Sequence, residues 1–152
     1  MTVQSAGLLL YRQRDGALEV LLVHPGGPFW QKRDEGAWSI PKGEVDPNET
    51  GIEVARREFH EELGIPAPEG EFRVLGAVRQ AGGKVVQAWA VPGDLDVTRL
   101  ASNTFPLEWP PHSGKIQQFP EVDRAAWLDP STARRKLVPA QVAFIDRLEQ
   151  LV

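Results

Sequence analysis

The segment from Gly43 to Ile65, GEVDPNETGIEVARREFHEELGI, constrains this chain more than any other stretch, because it carries its own start and stop signals and a concentrated charge pattern. Thr50 with Glu53 three residues later is the pattern of a capping box, and Gly64 supplies the stop, so a helix is predicted between them. At about 100° per residue, Ile52, Ala55, Phe59 and Leu63 fall on one stripe, the expected core face, with Glu58, Glu61 and Glu62 on the adjoining side. Glu58 and Glu62 are four residues apart and Glu61 is three from Glu58, so all three carboxylates can converge on one point. Mg²⁺ takes hard oxygen ligands and keeps positions for water and phosphate, so such a cluster at an open surface suits a phosphate-handling site; Mn²⁺ fits the same ligands. An acidic helix face is also common as a merely solvated surface. The repulsion of an exposed pair, about 0.2–0.5 kcal/mol, does not separate the two readings.

The rest of the chain reads as a folded α/β domain spanning residues 1–152. With 152 residues, 41% of them hydrophobic and 25% charged, it can bury a real core. Two apolar strands, Val3 to Tyr11 and Leu18 to His24, flank a turn at Arg14-Asp15-Gly16. Ala37 to Ile40 reads as a short strand and Pro41 to Glu49 as a loop. Phe72 to Arg79 and Lys84 to Val91 form a second hairpin about Gly82-Gly83. Between Pro92 and Pro120, where prolines interrupt an aromatic run, a strand broken by an irregular loop is expected. Val122 to Leu128 is a last strand, Asp129-Pro130 opens a helix, and Pro139 opens another with an apolar face of Phe144, Ile145, Leu148 and Val152. Six or seven strands and three helices in this order imply a mixed sheet covered by helices on both faces.

Net charge is −4, so a polyanionic substrate needs local cations or a metal to approach, and no basic stripe marks a stable nucleic-acid partner. The absence of cysteine excludes disulfides, thiolate metal sites and a cysteine nucleophile. The first apolar run, Ala6 to Tyr11, is too short to span a membrane and lacks a basic leader, so a cytoplasmic location is expected, as monomer or homodimer.

Gly43, Glu49, Arg57, Glu58, Phe59, Glu61, Glu62, Gly64 and Ile65 satisfy the pattern G-x5-E-x7-R-E-U-x-E-E-x-G-U, U being a large apolar residue. The segment therefore resembles the box of the Nudix hydrolases, with Phe59 where members usually carry an aliphatic side chain. The resemblance implies a Nudix-type α/β/α sandwich and metal-dependent hydrolysis of a phosphoanhydride. It assigns Glu58, Glu61 and Glu62 as metal ligands, the Gly43 carbonyl as a further ligand, Arg57 as the residue that orients a glutamate, and Glu49 as its partner or as support for the loop. The catalytic set is then Arg57, Glu58, Glu61 and Glu62. Glu121 resembles a downstream acidic position that many members use as ligand or base; an ordinary surface charge is the other reading.

Pro41-Lys42-Gly43 is similar to Nudix enzymes acting on dinucleoside polyphosphates and diphosphoinositol polyphosphates, with Lys42 either reaching a phosphate or simply solvated. Phe29 and Trp109 lie in Gly/Pro-rich loops and are the aromatic candidates for holding a nucleobase, whereas Trp30, Trp38, Trp89 and Trp127 read equally well as packing residues. The stretches Trp109 to Lys115 and Phe119 to Trp127 also resemble bacterial Nudix proteins labelled predicted NTP pyrophosphohydrolases. A dinucleoside polyphosphate hydrolase is the first expectation and a nucleoside triphosphate pyrophosphohydrolase the second. Readings of a different class are a non-catalytic nucleotide or RNA-end binding module and an interaction module docking through the Pro-rich loop.

Overall fold

The computed structural model describes residues 4–152, so Val3, expected to begin the first strand, lies outside the described residues. In chain order the elements are β1 (Gln4–Arg14), β2 (Ala17–Pro25), β3 (Lys42–Glu44), α1 (Gly51–Leu63), β4 (Arg73–Arg79), β5 (Val85–Pro92), a 3₁₀ turn (Val97–Arg99), β6 (Thr104–Glu108), β7 (Ile116–Pro120), β8 (Val122–Leu128), α2 (Pro130–Lys136), a second 3₁₀ turn (Pro139–Gln141) and α3 (Val142–Leu151).

One six-stranded sheet runs β4-β5-β1-β2-β8, with β3 also paired to β1. Only the β1–β5 pair is parallel, which makes the sheet mixed. The β1–β2 turn places Asp15 (φ 52°) and Gly16 (φ 79°) in the left-handed region, the geometry that matches the twist of a tight hairpin. Leu8, Leu9 and Leu10 are all fully buried because helices cover both faces of β1. Leu8 and Leu10 point into a cluster with Val54, Ala55, Phe59 and Leu63 of α1. Leu9 points into the opposite cluster with Ala133 of α2 and Phe144, Ile145 and Leu148 of α3. Each such side chain contributes about 1.5–3 kcal/mol by leaving water.

The edge of β1 that faces β2 is shared. Residues Tyr11 to Arg14 pair with β2, whereas Ser5 to Gly7 pair with β3. Between these halves β2 swings away, and the chain from Ser39 to Pro41 wedges into the gap. Ser39 exchanges two backbone hydrogen bonds with Val23, at 2.9 and 3.0 Å, and Leu8 N–H donates to the Pro41 carbonyl at 3.2 Å. The strand expected over Ala37 to Ile40 is therefore reduced to single bridges at Trp38 and Ser39, because the wedge crosses from one strand to the other before a ladder can form. The loop expected from Pro41 contains the short strand β3.

Two further expectations are corrected. The segment from Pro92 to Pro120 forms a separate two-stranded ribbon, β6 with β7, in place of one broken strand; Pro106 is accommodated because a two-stranded ribbon has open edges. On α1 it is Val54, and not Ile52, that joins Ala55, Phe59 and Leu63 in the core. Gly51 abuts Trp89, whose ring a Cβ there would meet at 2.7 Å, and the buried arc of the helix extends to the side that carries Glu58 and Glu62. Val152, expected on the apolar face of the last helix, is exposed.

Phe59 is fully buried beneath the sheet. Phe59→Ala is expected to lower stability by about 3–5 kcal/mol, measured as a shift in urea midpoint at constant slope.

Candidate active site

Thr50 caps α1 by accepting from Glu53 N–H at 3.3 Å, and Gly64 (φ 73°) ends it, donating to His60 O at 2.7 Å. These two stops bound the helix that carries Arg57, Glu58, Glu61 and Glu62. Arg57 lies among three of the glutamates. Its Nε and Nη2 donate to the two oxygens of Glu49 at 3.2 and 3.0 Å, and its Nη1 donates to Glu58 at 3.1 Å and Glu61 at 3.3 Å. The Glu49 bond is the main reason the guanidinium is held well above its ordinary pKa.

Glu62 faces the other way, toward β3, where it accepts from Lys42 N–H at 2.9 Å. Gly43 beside it leaves room for Glu58: a Cβ at position 43 would stand 2.1 Å from the Glu58 carboxyl carbon. Only glycine permits this approach, which also brings the Gly43 backbone against the acidic face.

Burial raises the pKa of Glu62 to about 8, with repulsion from Glu58 adding to it. Burial, then repulsion from Glu61, raises Glu58, with Arg57 opposing. Burial lowers Lys42, helped by Lys84 and opposed by Glu62, Glu44 and Glu58, so Lys42 is not a freely solvated lysine. Glu121 is exposed, yet close enough to raise both Glu58 and Glu62. Its place is held by backbone bonds: Glu121 N–H donates to Asn103 O and Asn103 N–H to Glu61 O, each at 2.9 Å. The β7–β8 junction is thereby tied to the end of α1.

Among the described residues no three acidic or histidine side chains stand at ligating separation for a metal, and Arg57 and the Lys42 N–H hold oxygens of Glu58, Glu61 and Glu62. The donor set nevertheless fits a hard divalent cation. It consists of carboxylate oxygens whose charged forms are disfavoured by burial and by one another, beside a glycine that leaves room for Glu58.

A cavity of about 320 Å³ adjoins this acidic face. Glu62, Lys42 and Glu121 line one part of it, and Trp30, Ile40 and Gln141 are among the residues lining the rest. Trp30 is thus a cavity wall as well as a packing residue. Phe29 and Trp109 are brought together from their two loops, ring centroids 5.4 Å apart and edge to face, and neither lines the cavity. Phe29 remains 62% exposed. The loop that carries Phe29 and Trp30 is fastened by the buried His24, whose ring joins the Asp123 carboxylate at 2.7 Å and, as Nε2–H donor, the Arg33 carbonyl at 2.6 Å. Sequence reasoning missed Gln80, Asn103 and Gln141, each of which lies far along the chain from Gly43 to Ile65 and belongs to no local motif.

The NUDIX domain family matches residues 1–148, and the chain belongs to that family. It is a Nudix hydrolase, one of a family generally dependent on divalent metal. The asymmetrical bis(5'-nucleosyl)-tetraphosphatase of Rattus norvegicus is 32% identical over 122 residues, covering 72% of this chain and 79% of that protein. The CTP pyrophosphohydrolase of Escherichia coli K12 is 34% identical over 99 residues, covering 64% of this chain and 68% of that protein. Among solved structures, a binary complex of the C. elegans Ap4A hydrolase superposes with a TM-score of 0.67 at 22% identity, over 97% of this chain and 96% of that one, which shows the shared fold. Among the described residues no helix is long and apolar enough to cross a membrane.

The raised pKa of Glu62 has a measurable consequence in metal-free protein. Folded Glu62 holds its proton up to about pH 8, whereas an unfolded glutamate releases it near pH 4.5, so between these values the folded state binds more protons and stability falls as pH rises. Thermal unfolding in EDTA is expected to show Tm falling across this window, with most of the slope removed in Glu62→Gln. Mg²⁺ should oppose the fall, since it favours ionised carboxylates.

Proposed function

We propose that this Nudix hydrolase cleaves a phosphoanhydride bond in a nucleotide, with dinucleoside polyphosphates as the first substrate class. The observation that carries the reading is contiguity: Glu62, Lys42 and Glu121 line the same cavity as Trp30 and Ile40, so a diphosphate at the carboxylates and a nucleoside among apolar walls are neighbours. Glu58, Glu61 and Glu62, with the Gly43 carbonyl and Glu121, would hold Mg²⁺, or Mn²⁺ in its place. The cation, when bound, neutralises the diphosphate oxygens and makes a water acidic enough to attack. Arg57 keeps Glu58 and Glu61 aimed, Lys42 contributes a point charge toward phosphate, and the proton of the attacking water passes to a carboxylate of the set. Glu62 and Glu121 are the two that also line the cavity.

The asymmetrical tetraphosphatase relative favours a dinucleoside polyphosphate, and the CTP pyrophosphohydrolase relative supports the second reading, a nucleoside triphosphate pyrophosphohydrolase. The Phe29–Trp109 pair bears on the choice, because a dinucleotide has a second base to place and a triphosphate has none. We assign that second base to the pair.

Release of phosphate-containing products from dinucleoside polyphosphates, nucleoside triphosphates, ADP-ribose and diphosphoinositol polyphosphates with Mg²⁺ or Mn²⁺ tests the reading; no turnover of any of them would leave a nucleotide-binding module in its place. Glu58→Gln and Glu62→Gln are each expected to lower kcat by roughly 10²- to 10⁴-fold with the fold intact by circular dichroism. Unchanged rates in both would return them to a solvated acidic face. Trp109→Ala is expected to raise KM about tenfold for a dinucleoside tetraphosphate and to leave KM for a nucleoside triphosphate unaltered; equal effects on both remove the assignment of the second base.

A further inference from the structure

Gln141 is fully buried at the start of α3 and reaches across to the wedge and to the β4–β5 turn. Its Oε1 accepts from Ile40 N–H at 3.0 Å, while its Nε2 donates to Ser39 Oγ at 2.9 Å and to Gln80 Oε1 at 2.8 Å. The Ser39 hydroxyl spends its own proton on Ile40 O at 2.8 Å, so only its lone pairs face Gln141. A backbone N–H cannot become an acceptor. The atom of Gln141 facing Ile40 must therefore be oxygen, and both amide hydrogens are committed elsewhere, one to Ser39 and one to Gln80.

This polarity passes to Gln80. Its oxygen must face Gln141, which leaves its Nε2 as the free end, and among the described residues that nitrogen has no hydrogen-bond partner. The backbone of Gln80 is fixed as well: its N–H donates to Lys84 O at 2.7 Å and its carbonyl accepts from Gly83 N–H at 3.0 Å. Gln80 lines the same cavity as Glu62, Lys42 and Trp30. An unconstrained glutamine amide can turn over and serve a ligand as donor or acceptor; this one is held as a donor by a relay that starts at a backbone N–H.

We propose that Gln80 is a specificity-determining residue, a donor of fixed polarity that selects a nucleoside whose base presents an acceptor to it. The proposal rests on the nucleotide reading of the cavity. Adenine and guanine interchange donor and acceptor at the exocyclic position and the adjacent ring nitrogen, as do cytosine and uracil. A fixed donor therefore distinguishes the members of each pair, and reversing it reverses the preference.

The experiment compares kcat/KM for ATP against GTP and CTP against UTP, together with equilibrium binding of the four nucleoside 5'-monophosphates to the metal-free protein. The wild type is expected to discriminate by about tenfold within at least one pair, the worth of one hydrogen bond made or lost. Glu at position 80 keeps an oxygen for Gln141 and turns an oxygen toward the ligand, so Gln80→Glu should invert that ratio and Gln80→Ala should flatten it toward unity. Gln141→Glu accepts from Ile40 N–H and Gln80 Nε2 alike, so Gln80 turns over and the ratio inverts again without any change at residue 80. Should the buried carboxylate of that variant prevent folding, the two substitutions at the partly exposed position 80 still decide. Turnover or binding that falls equally for all four bases, with ratios unchanged, overturns the proposal while leaving the nucleotide reading in place. A wild type that neither turns over nor binds any of the eight probes overturns the proposal, and the nucleotide reading falls with it only when the dinucleoside polyphosphates and ADP-ribose are not turned over either.

Discussion

Four carboxylates on one short stretch of surface repel one another, and the architecture of the site follows from how that repulsion is managed. Arg57 engages Glu49 with two of its nitrogens and reaches Glu58 and Glu61 with the third. One guanidinium thus fixes the separation and the facing of three acids. Glu62 is outside its reach, and the Lys42 N–H and lysine charge beside it do not offset its burial and the repulsion from Glu58. The result is a face that is charge-frustrated by itself, which a bound cation would relieve. That is a physical reason for a metal-dependent hydrolase to carry its carboxylates here and not on an open helix.

The second constraint is the wedge between β1 and β2. Had β2 paired with β1 along its whole length, the sheet would be closed and Lys42 and Gly43 would have no place beside α1. Because Ser39 to Glu44 fill the divergence instead, Gly43 is pressed against Glu58, and the other side of the same segment becomes a wall of the cavity. Gln141, the residue that caps the start of α3, then closes the wedge by accepting from Ile40 N–H, so the two helical layers meet at the site from opposite faces of the sheet. The carboxylates come from one layer and the amide relay from the other.

Much of this was legible in the sequence. Thr50, Glu53 and Gly64 announce the ends of α1 through hydrogen bonds that span only three or four residues, and the spacing of Glu58, Glu61 and Glu62 places them on one side whatever the helix packs against. Three of the four expected core residues of α1, Ala55, Phe59 and Leu63, are buried, and the fourth differs. Val54 is buried in place of Ile52, and since Val54 and Leu63 bound an arc of about half the helix circumference, Glu58 and Glu62 fall inside the buried arc and not beside it. The side that α1 turns to the sheet decides this. It also explains why those two carboxylates are drawn out of water, a consequence that periodicity alone does not carry.

What the sequence determined by itself is therefore the local chemistry: a capped helix, its acid spacing, and Gly43, Glu49, Gly64 and Ile65 around it, together the signature of a Nudix hydrolase. These features depend on residues within about one or two helical turns of each other or on a single adjoining loop. Tertiary structure alone decided which aromatic ring lines the cavity, that Phe29 and Trp109 meet, that Glu121 is tied to α1 through Asn103, and that Gln141 sets the orientation of Gln80. Each of these contacts joins side chains or backbone groups separated by tens of residues, brought together only when the β1–β2 divergence and the two helical layers are in place. Hydrogen-bond polarity is directional and passes from atom to atom, so it can be read only once the atoms are neighbours.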